Sequence, residues 1–303
     1  MGCLFGAALS RWNQVVLIDV NQPLVDAIRK NGVCVEEPDG TSWTQYPDAA
    51  SDSTGLGQVD LLIVFVKAMY SYDALKKNRS LIGSDTCLMT LQNGSGHEEI
   101  LLKFVDCSHV IMGTTQHNSS QLGEGHIRHG GSGPTHIGSL QGPVERLNSI
   151  ADIFTRCGIE TDCSPNVQKL IWDKMFTNVS ASALTGILQV PLGYIAENPH
   201  AWALCETLIR EAVSVAKGIG LDFDEQEKID EVRAVCRNGP QGITSICSDI
   251  ARGRRSEVDT IGGSVVRASR KSGVPAPAHA FVVELIHAME ERDTTQVISY
   301  RKE

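Results

Sequence analysis

Lys174, Asn178 and Ser182 recur at every fourth position of the stretch Val167 to Leu188. On a helix that spacing puts all three on one face. Their neighbours Leu170, Ile171, Met175, Phe176 and Val179 are apolar. A polar stripe on such a helix must face water, a partner or a ligand. A lysine ammonium placed there can stabilise negative charge on a reacting oxygen and give up a proton to it.

A second set of polar residues lies in the first half of the chain. Gly2 to Ser10 reads as a helix with small residues near its start, and Val15 to Asp19 as a buried strand ending in an acid. Dinucleotide-binding units follow the order strand, glycine turn, helix, strand, acid, with the acid on the adenosine ribose. The interval from Gly2 to Asp19 fits if Gly2 closes the glycine turn. The first strand and the earlier glycines are then expected upstream of Met1. Lys67 ends the apolar run Val59 to Lys67, and Asn93-Gly94 follows the run Thr86 to Gln92. Asp19, Lys67 and Asn93 therefore share the carboxyl edge of the expected strands, where open parallel sheets bind ligands.

These residues need an α/β frame. The runs 59–67, 86–92 and His109 to Gly113 read as parallel strands covered on both faces. Helical stretches near Tyr70 to Lys77 and His97 to Phe104 separate them, with Ser95 and Glu98 at capping-box spacing. His126 to Ile137 reads as an antiparallel pair turning at Gly130, Gly131 and Gly133, and Pro143 opens a helix that ends near Gly158. Beyond Pro165 strand-like runs give way to helical periodicity: 167–188, Pro199 to Gly218, Ser256 to Lys271 and Pro277 to Arg292. The expected architecture is a Rossmann-like α/β domain over 1–164, with a doubly wound parallel sheet lacking its first strand, followed by an all-α domain over 165–303.

Composition removes other classes. The net charge of -9 argues against a nucleic-acid groove. No apolar stretch approaches a membrane span, and Met1-Gly2-Cys3 lacks the sixth-position hydroxyl and polybasic stretch of a lipid-anchored terminus. Nine scattered cysteines without a Cys-x-x-Cys pair suit a reducing cytoplasm. His126 and His129 have no third ligand at compatible spacing, so no metal site is expected. His117 follows a predicted strand and reads as a structural hydrogen-bonding residue at the border of the cleft.

In this order the pieces GCLFGAAL (2–9), FVKA (65–68), LQNGSGHEEI (91–100), GTTQH (113–117), PTHIG (134–138), WDKMFTN (172–178) and SEVDTIGG (256–263) resemble the ketopantoate reductase (2-dehydropantoate 2-reductase) family over essentially the whole chain. The resemblance implies that Gly2 closes the cofactor turn and that Lys67, Asn93 and Ser119 line the dinucleotide, Asn93 also lying near the substrate. It implies Lys174 as proton donor, and Asn178 with the segment Ser245, Ile246, Cys247 and Ser248 as the substrate holders. Glu257 would lie where cofactor and substrate meet. Ser182 stands where a second substrate-binding asparagine is usual, and Leu192 at a position where another can occur, which leaves the identity of the substrate open.

The implied reaction is hydride transfer from NAD(P)H to the ketone carbon of a small 2-oxo acid, giving a D-2-hydroxy acid such as pantoate. Burial would lower the Lys174 pKa toward the working range, while Glu257 would favour the ammonium. The family resemblance implies NADP(H), but Asp19-Val20-Asn21 carries no arginine, and a carboxylate there favours NAD(H). An NAD-dependent D-2-hydroxyacid dehydrogenase on the same fold, and a non-catalytic nucleotide sensor, are the alternatives. A homodimer is a further expectation.

Overall fold

Helix α1 (Gly2–Leu9) is apolar on every side because two separate cores close over it. Phe5, Ala8 and Leu9 join Met89, Leu91, Ile111, Ile137 and Phe154 in one core. Leu4 and Ala7 join Val25, Ile28, Val33, Val35, Ala49 and Ile127 in the other. A Cβ at Gly6 would lie 2.4 Å from the Leu17 side chain, so glycine lets helix and strand approach without displacing Leu17.

The computed structural model describes residues 1–292, which form two compact units, one of 1–92 and 97–170, the other of 93–96 and the chain from 171 on. The first unit continues with β1 (Val16–Ile18), α2 (Gln22–Asn31), β2 (Val33–Glu36), β3 (Ser42–Gln45), β4 (Asp48–Ala50) and β5 (Leu61–Val64). Then come α3 (Ser71–Lys77), β6 (Cys87–Thr90), α4 (Glu98–Leu101), β7 (Val110–Thr115), β8 (Asn118–Gly123), β9 (His126–Gly131), β10 (Thr135–Ser139), α5 (Val144–Arg156) and β11 (Thr161–Cys163).

The strands form three sheets: β1-β4, β11-β10-β7-β6-β5 and β3-β2-β9-β8. β5, β6 and β7 are parallel, as their apolar runs predict, and β6 is buried at every position. The sheet is nonetheless mixed, since β10 runs antiparallel to β7. The expected antiparallel pair within 126–137 is a correction: β9 pairs with β8 and β2, whereas β10 pairs with β7 and β11. The glycines at 130, 131 and 133 carry the chain from one sheet to another, not around a hairpin. The expected capping box is a second correction. α4 starts at Glu98 without a side-chain cap, and the Ser95 amide instead bonds the Thr260 carbonyl at 2.8 Å.

The second unit contains no strand among its described residues. Its elements are α6 (Val167–Thr177, entering from the first unit), α7 (Ala183–Leu188), α8 (Leu192–Glu197), α9 (Pro199–Gly218), α10 (Glu225–Asn238), α11 (Ser245–Ala251), α12 (Gly262–Ser272) and α13 (Pro277–Glu291). α9 packs against α8, α10, α12 and α13. It starts sharply because Pro199 occupies the first turn and Asn198 Oδ1 accepts from the amides of His200 (3.1 Å) and Ala201 (3.0 Å). Two expected helices are corrected. The pattern over 167–188 is interrupted by a π-turn at Asn178–Ser182, and the helix expected from Ser256 begins only at Gly262, leaving 256–261 as an irregular turn.

Candidate functional site

The loop Asn93–Gly96 leaves β6 and belongs to the second unit. There the turn of 256–261 holds it. The Thr260 hydroxyl donates to the Asn93 carbonyl at 3.4 Å, and Arg267 Nη2 donates to the Ser95 carbonyl at 3.2 Å. Gly94 adopts φ +96°, and a Cβ on it would lie 2.1 Å from the Thr260 carbonyl oxygen, so both backbone angle and space demand glycine. Fixed in this way, Asn93 Oδ1 accepts a hydrogen bond from Lys174 Nζ at 3.1 Å.

Lys174 keeps an exposed side chain, yet protein packed beyond its nearest neighbours desolvates the ammonium. Desolvation lowers its pKa from the ordinary lysine value to about 8, while the Glu257 carboxylate acts to raise it. Of the two opposing influences recognised in the sequence, desolvation is the stronger. Asp173, the preceding residue, is held by the buried Lys228, whose Nζ lies 2.6 Å from Asp173 and 2.6 Å from Glu231. Burial works against the Lys228 ammonium, but these two bonds outweigh it and raise its pKa.

The π-turn changes the expected stripe. Its wider winding removes the strict four-residue register beyond Asn178. Asn178 is half-buried and Ser182 is buried, with the Ser182 hydroxyl 3.4 Å from Asn178 Oδ1. The stripe thus runs from an exposed ammonium to an interior hydroxyl. Ser245 begins α11 and is exposed, and Ser248 is half-buried one turn on. Ile246 and Cys247 point into the core, leaving only their backbone for a ligand. Thr244 caps this helix by accepting from the Cys247 amide at 3.3 Å, and its hydroxyl lies 2.7 Å from that of Thr185 on α7.

The remaining candidates lie in the first unit. α1 has no side-chain cap, which leaves its first amides to an anionic group. Gly2 packs with its α-carbon side against Phe65, Ser119 Oγ lies 3.4 Å from Met1 Sδ, and Cys3 feels the charges of Asp19 and Glu124. Asp19 follows β1, is exposed, and accepts from the Asn21 amide at 2.9 Å. Lys67 is half-buried and starts the short turn 68–70 after β5. An uncapped helix start, an acid beyond the next strand and a lysine at the sheet edge are the residues a dinucleotide requires, so this unit fits such a group.

Sequence reasoning missed several supporting residues. Gln92 donates from Nε2 to the Val66 carbonyl and to Ser71 Oγ (3.0 Å), fixing the segment before Lys67. Glu124 accepts from Asn21 Nδ2 at 3.5 Å and thereby adds a second carboxylate near Asp19. Thr260 and Arg267 fix the Asn93 loop. None of these has a local signal, because each partner is remote in sequence. His129 bonds Glu37 and His117, while His126 lies 3.9 Å from Glu36, so the two histidines have different partners. Among the described residues no three His, Cys, Asp or Glu side chains are grouped to hold a metal, and no helix is long and apolar enough to cross a membrane.

Comparison with known proteins gives the geometry a context. Residues 1–142 match the family model Ketopantoate reductase PanE/ApbA, and 166–290 match the model of its C-terminal part. The 2-dehydropantoate 2-reductase of Halobacterium salinarum is 30% identical, with 97% of this chain and 96% of that protein covered. A ternary structure of D-mandelate dehydrogenase with NADH and anilino(oxo)acetate superposes with a TM-score of 0.88 at 29% identity, covering 95% of this chain and 94% of that one. A PanE/ApbA family ketopantoate reductase from Ralstonia eutropha JMP134 superposes with a TM-score of 0.86 at 26% identity, covering 95% and 94%. The chain belongs to the ketopantoate reductase family.

Proposed function

We propose that this chain reduces the ketone of a small 2-oxo acid to a D-2-hydroxy acid, with ketopantoate as the first substrate to test. One observation carries the reading: in a chain of this family, Lys174 has its pKa lowered to about 8 and is hydrogen-bonded to Asn93 at 3.1 Å. A group that titrates near the working pH is a competent general acid. Residues 1–164 serve as the dinucleotide-binding domain and the helical part from 165 on as the substrate domain.

A bound nicotinamide dinucleotide supplies the hydride. Lys174 stabilises the negative charge that develops on the ketone oxygen and delivers its proton there. Asn93 holds the ammonium in place, and Glu257 keeps it protonated. Asn178, Ser182, Ser245 and Ser248 offer hydroxyls and an amide to the carboxylate and side chain of the acid, with the backbone at Ile246 and Cys247. Gly2, Lys67 and Ser119 face the dinucleotide, and Asp19 the adenosine ribose.

NADH is the preferred cofactor on this reading, because Asp19 and the nearby Glu124 would repel a 2′-phosphate. That preference supports a second reading, an NAD-dependent D-2-hydroxyacid dehydrogenase acting on 2-oxo acids other than ketopantoate. Ser182, smaller than an asparagine, supports it too. Steady-state assays with ketopantoate and with branched and aromatic 2-oxo acids, each with NADH and NADPH, separate the two. No reduction of any 2-oxo acid with either cofactor overturns both.

A further inference from the structure

A line of hydrogen bonds crosses the sheet β3-β2-β9-β8 in strand order. Trp43 Nε1 on β3 donates to Glu37 Oε1 at 2.6 Å, Glu37 following β2. Glu37 Oε2 lies 2.8 Å from His129 Nδ1 on β9. His129 Nε2 lies 3.0 Å from His117 Nδ1, next to β8, and the two rings are inclined by only 18°. Thr115 Oγ1 accepts from the His117 amide at 3.2 Å, and the His117 and Phe5 rings meet in a T-shaped contact with centroids 5.9 Å apart.

With both imidazoles neutral, the proton inventory of this line fixes its far end. An ionised carboxylate only accepts, so His129 carries its proton on Nδ1. Its Nε2 is then an acceptor, which requires the proton of His117 on Nδ1. His117 Nε2 is left as a lone pair, and no partner meets it among the described residues. Desolvation, then the neighbouring His129, lower the His117 pKa, with Glu37 opposing, and keep the imidazole neutral. A carboxylate bonded to one ring nitrogen of a histidine sets its tautomer, and here His129 hands that setting on to His117.

His117 lies beside the expected path of the cofactor. It is half-buried, and Ser119, two residues on, lies opposite His129 and touches Met1 at the start of α1. Asp19 lies on the Cys3 side of the same helix turn, while Gly2 faces Phe65. On the proposed function, a dinucleotide with its adenosine ribose at Asp19 would reach Ser119 and His117 with its other end.

We infer that His117 Nε2 is a ligand acceptor, held in its acceptor tautomer by His129 and Glu37, for an N–H or O–H donor on the nicotinamide riboside half of the cofactor. The assignment rests on the proposed dinucleotide function. Binding of NADH and of its 3-acetylpyridine analogue, which lacks the carboxamide N–H, is measured by fluorescence titration on wild type, His117→Leu and His117→Gln. Thermal melting accompanies each variant. Loss of one such bond weakens binding by about tenfold. His117→Leu should lose that factor for NADH, and His117→Gln, which retains an acceptor, should regain most of it. If the leucine variant no longer distinguishes NADH from the analogue, the donor is the carboxamide. If it loses both ligands equally while the glutamine variant recovers both, the donor is a ribose hydroxyl. Wild-type NADH affinity in His117→Leu overturns the assignment alone, as does an equal loss in both variants. A wild type that binds neither reduced dinucleotide overturns the functional reading, and this inference with it.

Discussion

Glu290 Oε1 accepts hydrogen bonds from both the amide (2.7 Å) and the hydroxyl (2.5 Å) of Ser256. The Glu290 side chain is only 2% exposed, and its second oxygen lies 3.4 Å from His287 Nδ1. His287 Nε2 in turn lies 3.1 Å from Asp259 Oδ1. The last helix therefore clamps the irregular turn that carries Glu257 and Thr260. Hydrogen bonds to a buried charge contribute about 2 kcal/mol or more. Glu290→Ala should cost at least about that much in urea denaturation, and Ser256→Ala about 1 kcal/mol. Equal stabilities of wild type and Glu290→Ala would show that the clamp is not formed in solution.

Lys174 gives a prediction with a definite sign. Proton donation needs the ammonium, so turnover should hold below pH 8 and fall as pH rises through about 8. Glu257 favours the ammonium, and Glu257→Gln should move that falling limb to lower pH. Lys174→Ala should lower kcat by about a hundredfold or more while dinucleotide binding is largely kept. A kcat near wild type in that variant would remove Lys174 from the chemistry.

The cofactor preference is testable at two carboxylates. Asp19 and Glu124 lie on either side of Asn21, whose amide bonds the first and whose side chain bonds the second. Asp19→Ser with Val20→Arg should shift the kcat/KM ratio toward NADPH, and Glu124→Gln should add to the shift. Wild-type preference for NADPH would mean that a cation elsewhere overrides both acids.

What the sequence made legible follows the range of the interactions. The strands β6 and β7 announce themselves as apolar runs buried on both faces, β5 carries such a run although it is the half-buried end strand of its sheet, and α9 and α13 begin at Pro199 and Pro277, where a fixed φ is a local property. The sheet partners of β9 and β10 are not local. Both strands have plausible hairpin composition, but β2 and β7 compete for them from far along the chain. Lys174 and Asn178 stood out as polar residues on an apolar helix, whereas the π-turn that begins at Asn178 has no compositional mark. The Thr260, Arg267 and Glu290 supports were invisible for the same reason, as each acts on a loop distant in sequence.

Acid stability should depend on Glu211. This carboxylate, on α9, accepts from the amides of Ala278 (2.8 Å) and His279 (3.0 Å) and lies 2.8 Å from His279 Nδ1, so it caps α13. Burial alone would raise its pKa, but the His279 ring and the two amides outweigh burial and hold it below the ordinary value. Its stabilising contribution is therefore complete above the unfolded carboxylate pKa and is lost as pH falls through the lower folded value. Glu211→Gln should destabilise the protein by about 2 kcal/mol at neutral pH and by less in acid. A constant difference across that range, measured by urea denaturation, would assign the effect to packing alone.

Gly94 tests whether the loop that carries Asn93 controls the position of Lys174. At φ +96° the backbone is unfavourable for any side chain, and the 2.1 Å approach of a Cβ to the Thr260 carbonyl must be relieved by moving the loop. The loop cannot move without carrying Asn93 away from the ammonium it holds at 3.1 Å. A misplacement of about 1 Å at a reacting group can cost about a hundredfold in rate. Gly94→Ala should therefore lower kcat by about ten- to a hundredfold. Thr260→Val removes the weaker 3.4 Å bond to the Asn93 carbonyl but leaves the Thr260 carbonyl that receives the Ser95 amide, so it should reduce kcat only a few-fold. If Gly94→Ala turns over at the wild-type rate with its fold intact, the Asn93 loop does not set the position of Lys174.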